Sequence, residues 1–176
     1  DAAPEGTPTM HVGSFVRGKG KFYLTEYVAT SERSTSRYPL LLTTGRVLYQ
    51  YNVGTQTRRT GNVAWQAEDR LDIHADDAES RGISEGDWVG VSSRAGETVL
   101  RASISKRLAR GVVYTTFHFP ETGINLVTTE NSDWATNCPE YKVTAVEVVK
   151  VGQPEAWQAR IRAERTARYP VQAPVS

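Results

Sequence analysis

From residue 40 onward the chain consists mainly of short apolar runs separated by turn residues. This pattern restricts the possible folds more than any other feature of the sequence. Residues 40–44 (Leu-Leu-Leu-Thr-Thr) are closed by Gly45, as expected for a buried strand that ends in a turn. Residues 76–81 begin with acidic side chains and are followed by Gly82, which predicts a short capped helix. Further strands are predicted at 71–74, 88–93, 112–119 and 143–151. A hairpin turn is predicted at 94–97, and the return strand after it places Leu100, Ala102 and Ile104 on one face. Short strands, frequent turns and one convincing internal helix predict a mainly β fold with short helices, a compact β-barrel rather than a sandwich of long strands.

The chain divides into three parts. Residues 1–36 form an irregular lead-in broken by prolines and glycines, in which the loose alternation of 21–29 predicts one strand. Residues 37–152 form the barrel, and 153–176 form a helix and a tail, with Trp157 and Ile161 spaced to dock one side of that helix. The start of the chain has neither an initiator Met nor a signal-peptide core, which predicts a piece of a longer or processed protein.

Charge and cysteine content exclude several classes of protein. The 176 residues carry 21 basic and 20 acidic side chains, so the concentrated basic excess of a nucleic-acid-binding protein is missing. No apolar run is long enough to span a membrane. Cys138 is the only cysteine, which excludes a disulfide framework and any four-cysteine zinc or iron–sulfur site supplied by this chain alone.

The usual reaction machinery is missing from the sequence. The three histidines, His11, His74 and His118, lie far apart without ligand-like spacing, and each is more simply interpreted as a structural residue. Neither a Gly-x-Ser-x-Gly nucleophile turn nor a phosphate-binding glycine loop occurs. The chemistry of this chain must therefore lie in its polar clusters.

The first polar cluster follows the run 40–44 directly. Arg46 could bind a pyrophosphate with its guanidinium fork, while Gln50 and Asn52 could hydrogen-bond a ribose or a base edge. A hairpin corner with polar caps explains the same residues equally well.

Three more clusters follow later strand candidates. Residues 115–120 place Phe117 and His118 at a strand end, where either ring could stack on a purine or a pterin, although an aromatic edge of the core is the simpler explanation. Residues 125–131 present two asparagines, and residues 139–142 offer a phenol and an ammonium group.

The order of these motifs resembles a known family. It is similar to the C-terminal, molybdopterin-dinucleotide-binding domain of the DMSO reductase superfamily, and within it to the alpha subunit of soluble NAD-dependent molybdenum formate dehydrogenases. The matching motifs are Leu-Leu-Thr-Thr-Gly-Arg46, Gln-Tyr-Asn52, the block at 77–89, Val-Tyr-Thr-Thr-Phe-His118, Asn125 to Thr129, and Cys-Pro-Glu-Tyr-Lys-Val143. The resemblance covers nearly the whole chain and thins after Gly152.

The resemblance implies a double-psi β-barrel whose strand-end loops close over a bis-molybdopterin guanine dinucleotide cofactor that carries molybdenum or tungsten. A dinucleotide of this kind needs cations and N–H donors for its pyrophosphate and polar groups for its ribose and base. Gln50 stands where relatives often have His, and the Arg58-Arg59 pair either meets a phosphate or is a solvated pair. The residues implied to bind the cofactor are Thr44, Gly45, Arg46, Gln50 and Asn52 in the first loop, and Phe117, His118, Asn125, Asn131, Tyr141 and Lys142 in the others.

The resemblance also implies what lies elsewhere. The metal-ligating Cys or selenocysteine, its neighbouring His and the substrate-positioning Arg belong to preceding domains of the alpha subunit, with residues 1–36 leading in from them, so Cys138 is not assigned to the metal. The whole enzyme would be cytoplasmic and oxidise formate to carbon dioxide. Its electrons would pass through iron–sulfur clusters and flavin-containing, diaphorase-type subunits to NAD. The alternatives are the same domain of another molybdopterin oxidoreductase, such as an assimilatory nitrate reductase, or a stand-alone double-psi-barrel binding module.

Overall fold

The computed structural model describes residues 8–9, 11–15 and 17–168. The two helices of the described residues are α1 (Ala75–Glu79) and α2 (Pro154–Arg168). Short 3₁₀ turns occur at Thr57–Arg59, Gly61–Ala64, Pro120–Thr122 and Ile124–Leu126. The strands are β1 (Leu40–Gly45), β2 (Arg70–Ile73), β3 (Trp88–Ser92), β4 (Glu97–Ile104), β5 (Val112–Thr116) and β6 (Thr144–Lys150).

These six strands close into a barrel in the order β1-β5-β2-β4-β3-β6. Strands β1 and β5 are parallel, as are β2 and β4, and the remaining neighbours are antiparallel. Among the described strands only β3 and β4 are neighbours both in sequence and in space, so the connections cross over the barrel ends. This interleaved, closed arrangement confirms the predicted double-psi β-barrel, and closure leaves no free sheet edge.

The barrel interior is filled by aliphatic side chains that alternate along the strands. In β1, Leu40 and Leu42 point inward, and they meet Val146 and Thr144 of β6 across the sheet. Burial of each such aliphatic side chain contributes about 1.5–3 kcal/mol relative to exposure. The predicted inward face of the return strand is confirmed by the burial of Leu100 and Ala102.

Helix α1 is shorter than predicted, ending at Glu79, and the sequence pattern missed its cap. The Nδ1 of His74 accepts a hydrogen bond from the backbone N of Asp76 at 3.2 Å, which places an imidazole at the N-cap. Asp77 is nearly buried, and its Oδ2 accepts from the backbone N of Gly111, 2.7 Å away. The helix is thereby tied to the chain just before β5.

Helix α2 packs on the outside of β3 and β4, as the spacing of Trp157 and Ile161 predicts. The Trp157 ring lies directly over Gly90, where a Cβ atom would come within 2.5–2.8 Å of three ring atoms. Ile161 is buried with Val99 and Leu126. The glycine is therefore required by the close approach of the ring.

The strand predicted at residues 21–29 is wrong. This segment has no strand pairing, and side chains such as Phe22 and Leu24 are 95% and 99% exposed. Loose alternation of apolar and polar residues favours an extended backbone, but a strand also needs a partner for its hydrogen bonds. Regular contact with the barrel begins at Glu32, whose buried carboxylate accepts from the backbone N of Ala145 and from Arg94.

Candidate functional site

Four strands bring polar residues to one end of the barrel. Because β1 and β5 are parallel and Gly45 is paired with Thr116, the chain leaves both strands at the same edge. Strands β2 and β6 begin at this edge, since each runs antiparallel to one of these two. The barrel topology therefore brings together the predicted clusters after β1, after β5 and before β6.

The loop before β6 is fastened to the end of β1. The buried Thr44 hydroxyl donates a hydrogen bond to the carbonyl of Tyr141 at 2.9 Å. Lys142 follows, with its side chain exposed and its ammonium 6.0 Å from the Tyr141 ring centroid. Within the described part of the chain, Lys142 forms no ion pair, so its charge faces solvent at this end of the barrel.

Arg46 is held in a defined position. Its Nε and Nη2 donate to Oδ1 of Asn52 at 3.2 and 2.9 Å, and its guanidinium lies 5.1 Å from the centroid of the Phe117 ring. Asn52 has a left-handed backbone with φ of 47°, a conformation that Asn tolerates better than most residues. Arg46 is thus oriented by an amide and an aromatic face rather than neutralised by a carboxylate.

Gly45 allows the backbone to pass close to Tyr114. A Cβ atom at position 45 would lie 2.6 Å from the Tyr114 hydroxyl oxygen. That hydroxyl donates to the carbonyl of Arg46 at 2.9 Å. Partial burial, together with the negative charges of Asp72 and Asp69, raises the pKa of Tyr114, so the phenol stays a donor at neutral pH.

His118 is fully buried and bridges two loops. Its Nε2 accepts from the backbone N of Val47 at 3.1 Å, and its Nδ1 lies 2.5 Å from the carbonyl oxygen of Asn52. Because Nε2 is the acceptor, the neutral imidazole carries its proton on Nδ1 and donates it to Asn52. The ring packs beside Phe117 at 5.6 Å between centroids and offers no free face to a ligand.

Gln50 is likewise buried and fully engaged by the protein. Its Nε2 donates to the carbonyl of Gln66 at 2.9 Å, and its Oε1 accepts from the Thr57 hydroxyl at 2.6 Å. The structure therefore places Gln50 behind the first loop, where it links that loop to the 3₁₀ turn at Thr57.

Phe117 borders an apolar cleft next to Arg46. The cleft has a volume of about 250 Å³ and is open to solvent. Asn125 lies on its rim with an exposed side chain, so an aromatic face and an amide are available to one bound group. Its main lining residues are Val53, Phe117, Phe119, Ile124, Asn125 and Arg165.

Asn131 makes its contacts away from Arg46. Its side-chain Nδ2 donates to the Ser31 hydroxyl at 3.2 Å, and its backbone carbonyl accepts from the backbone N of Glu140 at 2.7 Å. The loop that follows is organised by Asp133, whose carboxylate accepts from the hydroxyl and backbone N of Thr136 and from the backbone N groups of Cys138 and Ala135. These hydrogen bonds lower the pKa of Asp133 from 3.8 to about 2.

The side chains of Arg58 and Arg59 lie in different environments. Arg58 forms an ion pair with Glu121 at 2.9 Å and lies 4.7 Å from the centroid of the Phe119 ring. The hydrogen bond from Arg58 lowers the pKa of Glu121. Arg58 is therefore engaged by the protein, whereas the side chain of Arg59 is exposed.

Asp69 belongs to this end of the barrel, and sequence reasoning missed it. The residue is 2% exposed, and its carboxylate accepts hydrogen bonds from the hydroxyl of Thr116 and from the backbone N groups of His118 and Phe119. An acidic residue two positions before the strand predicted at 71–74 was the only available signal, because its donors lie 47–50 positions later in the chain.

A larger cleft of about 420 Å³ lies between β4 and α2 and contains none of the predicted cofactor residues. Its charged side chains are largely engaged by the protein: Glu121 pairs with Arg58, and Arg101 lies 4.3 Å from the Trp88 ring centroid and donates to the carbonyl of Gly86. The polar residues around Phe117 are therefore the better candidate site.

The residues at the ends of β1 and β5 fit a guanine dinucleotide. Arg46 and Lys142 are cations without carboxylate partners in the described chain, as a pyrophosphate requires. The cleft beside Phe117 provides a flat aromatic wall and the Asn125 amide for a base. In the described residues, no group of three or more His, Cys, Asp or Glu side chains is arranged to hold a metal ion. The described residues also include no helix long and apolar enough to cross a membrane.

Comparison with known proteins agrees with this geometry. Residues 40–145 match the family model of the Molydopterin dinucleotide binding domain. The F420-dependent formate dehydrogenase 1 subunit alpha of Methanococcus maripaludis is 40% identical over 149 residues, which cover 83% of this chain and 22% of the relative. Formate dehydrogenase H of Escherichia coli is 30% identical over 88% of this chain and 22% of its own length. The assimilatory nitrate reductase catalytic subunit of Bacillus subtilis is 30% identical over 83% of this chain and 21% of its own length.

Among solved structures, acetylene hydratase from Pelobacter acetylenicus superposes with a TM-score of 0.57 at 18% identity, covering 65% of this chain and 18% of that protein. This likeness supports the fold. The chain spans about a fifth of the length of the curated relatives named above. The family match over most of the barrel and the agreement of the strand-end motifs lead to one conclusion: the chain belongs to the molybdopterin dinucleotide binding domain family of the DMSO reductase superfamily.

Proposed function

We propose that the β1–β5 end of the barrel holds the guanine dinucleotide part of a bis-molybdopterin cofactor, and that the full-length protein is a formate dehydrogenase alpha subunit. The observation that carries the proposal is the placement of Arg46, Asn52 and Phe117 side by side at the end where Lys142 also faces solvent. The formate dehydrogenases among the relatives support the choice of substrate.

The predicted site residues divide into three roles. Arg46 and Lys142 contact the pyrophosphate, because their charges face solvent and a guanidinium binds phosphate oxygens with paired N–H groups. Phe117 stacks on the base in the adjoining cleft, and the Asn125 amide meets its edge. The buried residues Thr44, Gln50 and His118 shape the loops from behind.

The cofactor supplies the redox chemistry, in which formate is converted to carbon dioxide, a proton and two electrons at a molybdenum or tungsten centre. This chain binds and orients the cofactor and excludes water from its dinucleotide part. The metal ligands belong to preceding domains of the full-length protein. The exposed Phe22 and Leu24 support this arrangement, because apolar side chains exposed to that degree fit a surface that such domains cover.

Electrons leave through iron–sulfur clusters and partner subunits of the diaphorase type. The family resemblance implies NAD as the final acceptor, whereas the Methanococcus relative is named F420-dependent. Assays of the full-length protein with formate and either NAD or F420 decide which of the two is the acceptor. The cytoplasm is the proposed location for either reaction.

The test combines Arg46→Ala with Lys142→Ala in the full-length protein. We expect a large loss of bound molybdenum and of the GMP that acid hydrolysis releases from the dinucleotide, because both contacts to the pyrophosphate are removed. The matched control is Lys106→Ala with Arg107→Ala, which removes the same charge from the turn after β4, at the opposite end of the barrel. Normal GMP and metal content in the Arg46/Lys142 variant would refute the residue assignment.

Nitrate reduction is the second candidate activity, favoured by the Bacillus subtilis relative. The formate and nitrate activities of the wild-type protein distinguish the two substrates. A full-length protein that contains neither metal nor GMP would instead point to a stand-alone binding module.

A further inference from the structure

We infer that Asp69 and His118 are positioning residues that set the cofactor loop after β1 against the loop after β5. The inference rests on the proposed function, because the loops they join carry Arg46 and Phe117. Both side chains are almost completely shielded from solvent: Asp69 is 2% exposed, in the wall of the 420 Å³ cleft, and His118 is fully buried.

Asp69 fixes the chain as it leaves β5. Its Oδ1 accepts from the Thr116 hydroxyl and, at 3.1 Å, from the backbone N of His118, while its Oδ2 accepts from the backbone N of Phe119 at 3.0 Å. The last residue of β5 and two residues of the loop that follows it are thus bound to one carboxylate, which lies directly before β2. No ion pair to Asp69 exists within the described residues, so the charge is balanced by these donors alone.

A buried carboxylate of this kind is costly unless its donors are fixed, because burial removes the water that stabilises its charge. The loop therefore has little freedom to move while Asp69 keeps these hydrogen bonds. The result is that the main chain at His118, and with it the imidazole, is held in place.

His118 transmits this position to the loop after β1. The Nδ1–H group donates to the carbonyl of Asn52 and Nε2 accepts from the backbone N of Val47, so the ring spans both ends of the turn between these residues. Asn52 then holds the guanidinium of Arg46 through Oδ1. A continuous set of hydrogen bonds runs from Asp69 through His118 and Asn52 to Arg46.

The two hydrogen bonds of the imidazole differ in importance. The bond to Asn52 leads to Arg46, whereas the bond to Val47 fixes the exit of β1. An Asn side chain can place its amide N near the position of Nδ1, and a Gln side chain can place its amide O near the position of Nε2. The variants His118→Asn and His118→Gln therefore each keep a different half of the bridge.

The experiment measures GMP and molybdenum per polypeptide, together with thermal stability, in the full-length protein. Asp69→Asn turns one carboxylate oxygen into a donor that opposes a backbone N–H, and we expect about a tenfold loss of bound GMP. The control is Asp77→Asn, since Asp77 is also nearly buried and accepts from a backbone N, but at the opposite end of β5. It should lower the melting temperature without a comparable loss of GMP.

For His118 we expect His118→Asn to retain more GMP than His118→Gln. The inference would be overturned if Asp69→Asn and Asp77→Asn retained equal amounts of GMP while their melting temperatures were equal. It would also be overturned if His118→Gln retained more GMP than His118→Asn. If Asp69→Asn does not fold, the His118 pair decides alone. A wild-type protein without GMP would instead refute the proposed function, so the two failures are distinguishable.

Discussion

Substitution of Glu32 should loosen the attachment of the lead-in segment to the barrel. The Glu32 carboxylate is 4% exposed, and its Oε2 accepts from the backbone N of Ala145 at 2.8 Å while Oε1 accepts from Arg94. The adjacent Ser31 accepts a hydrogen bond from Asn131, so this attachment also supports one of the predicted cofactor residues.

The two contacts of Glu32 contribute different amounts to the free energy of unfolding. The Ala145 amide belongs to a fully buried residue, and leaving its N–H without an acceptor costs about 1–3 kcal/mol. The Arg94 side chain is 45% exposed and can return to water, so loss of that pair costs about 1 kcal/mol or less. Glu32→Ala should therefore destabilise the chain by about 3 kcal/mol, whereas Glu32→Gln, which keeps an acceptor for Ala145, should cost about 1 kcal/mol.

Urea denaturation followed by tryptophan fluorescence measures both variants, because the half-buried Trp88 and Trp157 report on barrel packing. In a chain of this size, each 1 kcal/mol corresponds to a shift of about 2–4 °C in melting temperature. The exposed Glu26 provides the control, since Glu26→Ala should change stability by no more than about 0.5 kcal/mol. Equal effects of Glu32→Ala and Glu32→Gln would refute the assignment of the larger share to the Ala145 amide.

Three further perturbations test the packing and the loops. Gly90→Ala should cost about 1–3 kcal/mol by urea denaturation, because its Cβ would overlap the ring of Trp157, and an unchanged midpoint would contradict that contact. Tyr114→Phe removes a 2.9 Å hydrogen bond to the carbonyl of Arg46 and should cost about 0.5–1.5 kcal/mol in the same assay. The folded-state pKa of Asp133 is lowered from 3.8 to about 2, so its stabilisation of the surrounding loop is present above about pH 4 and is lost as the pH falls through about 2. The protection of that loop's amides, taken relative to their intrinsic exchange rate at each pH, should fall over this pH range in the wild type but not in Asp133→Asn.

Local pattern and spacing were sufficient to predict the six strands of the barrel, but they gave a false strand at residues 21–29 and did not predict how the strands are arranged. The run at residues 40–44 and the valine-rich segment before α2 are confirmed as β1 and β6, and Trp157 docks as its spacing predicts. The interleaved order of the barrel follows from which strands pair, and alternation within one strand carries no information about its partner. That order was available only through the resemblance of the motifs to a known family.

The clustering of Arg46, Asn52 and Phe117 could be predicted, but which polar residues face solvent could not. Arg46, Asn52 and Phe117 are brought together as expected, yet His118 and Gln50 turn inward, where the protein occupies their hydrogen-bonding groups. A polar residue at a strand end has the same appearance in the sequence whether it faces a ligand or the neighbouring loop. Asp69 escaped notice for the same reason, since its three donors come from a strand end that is distant in sequence.

The central claim is that the dinucleotide lies at the β1–β5 end of the barrel, and a structure of the cofactor-loaded full-length protein tests it most directly. We expect phosphate oxygens within about 2.7–2.9 Å of the Arg46 guanidinium, with Asp69 still bound to the backbone N of His118 and the His118 ring still bound to Asn52. A dinucleotide bound elsewhere, with Arg46 still turned only toward Asn52, would contradict it.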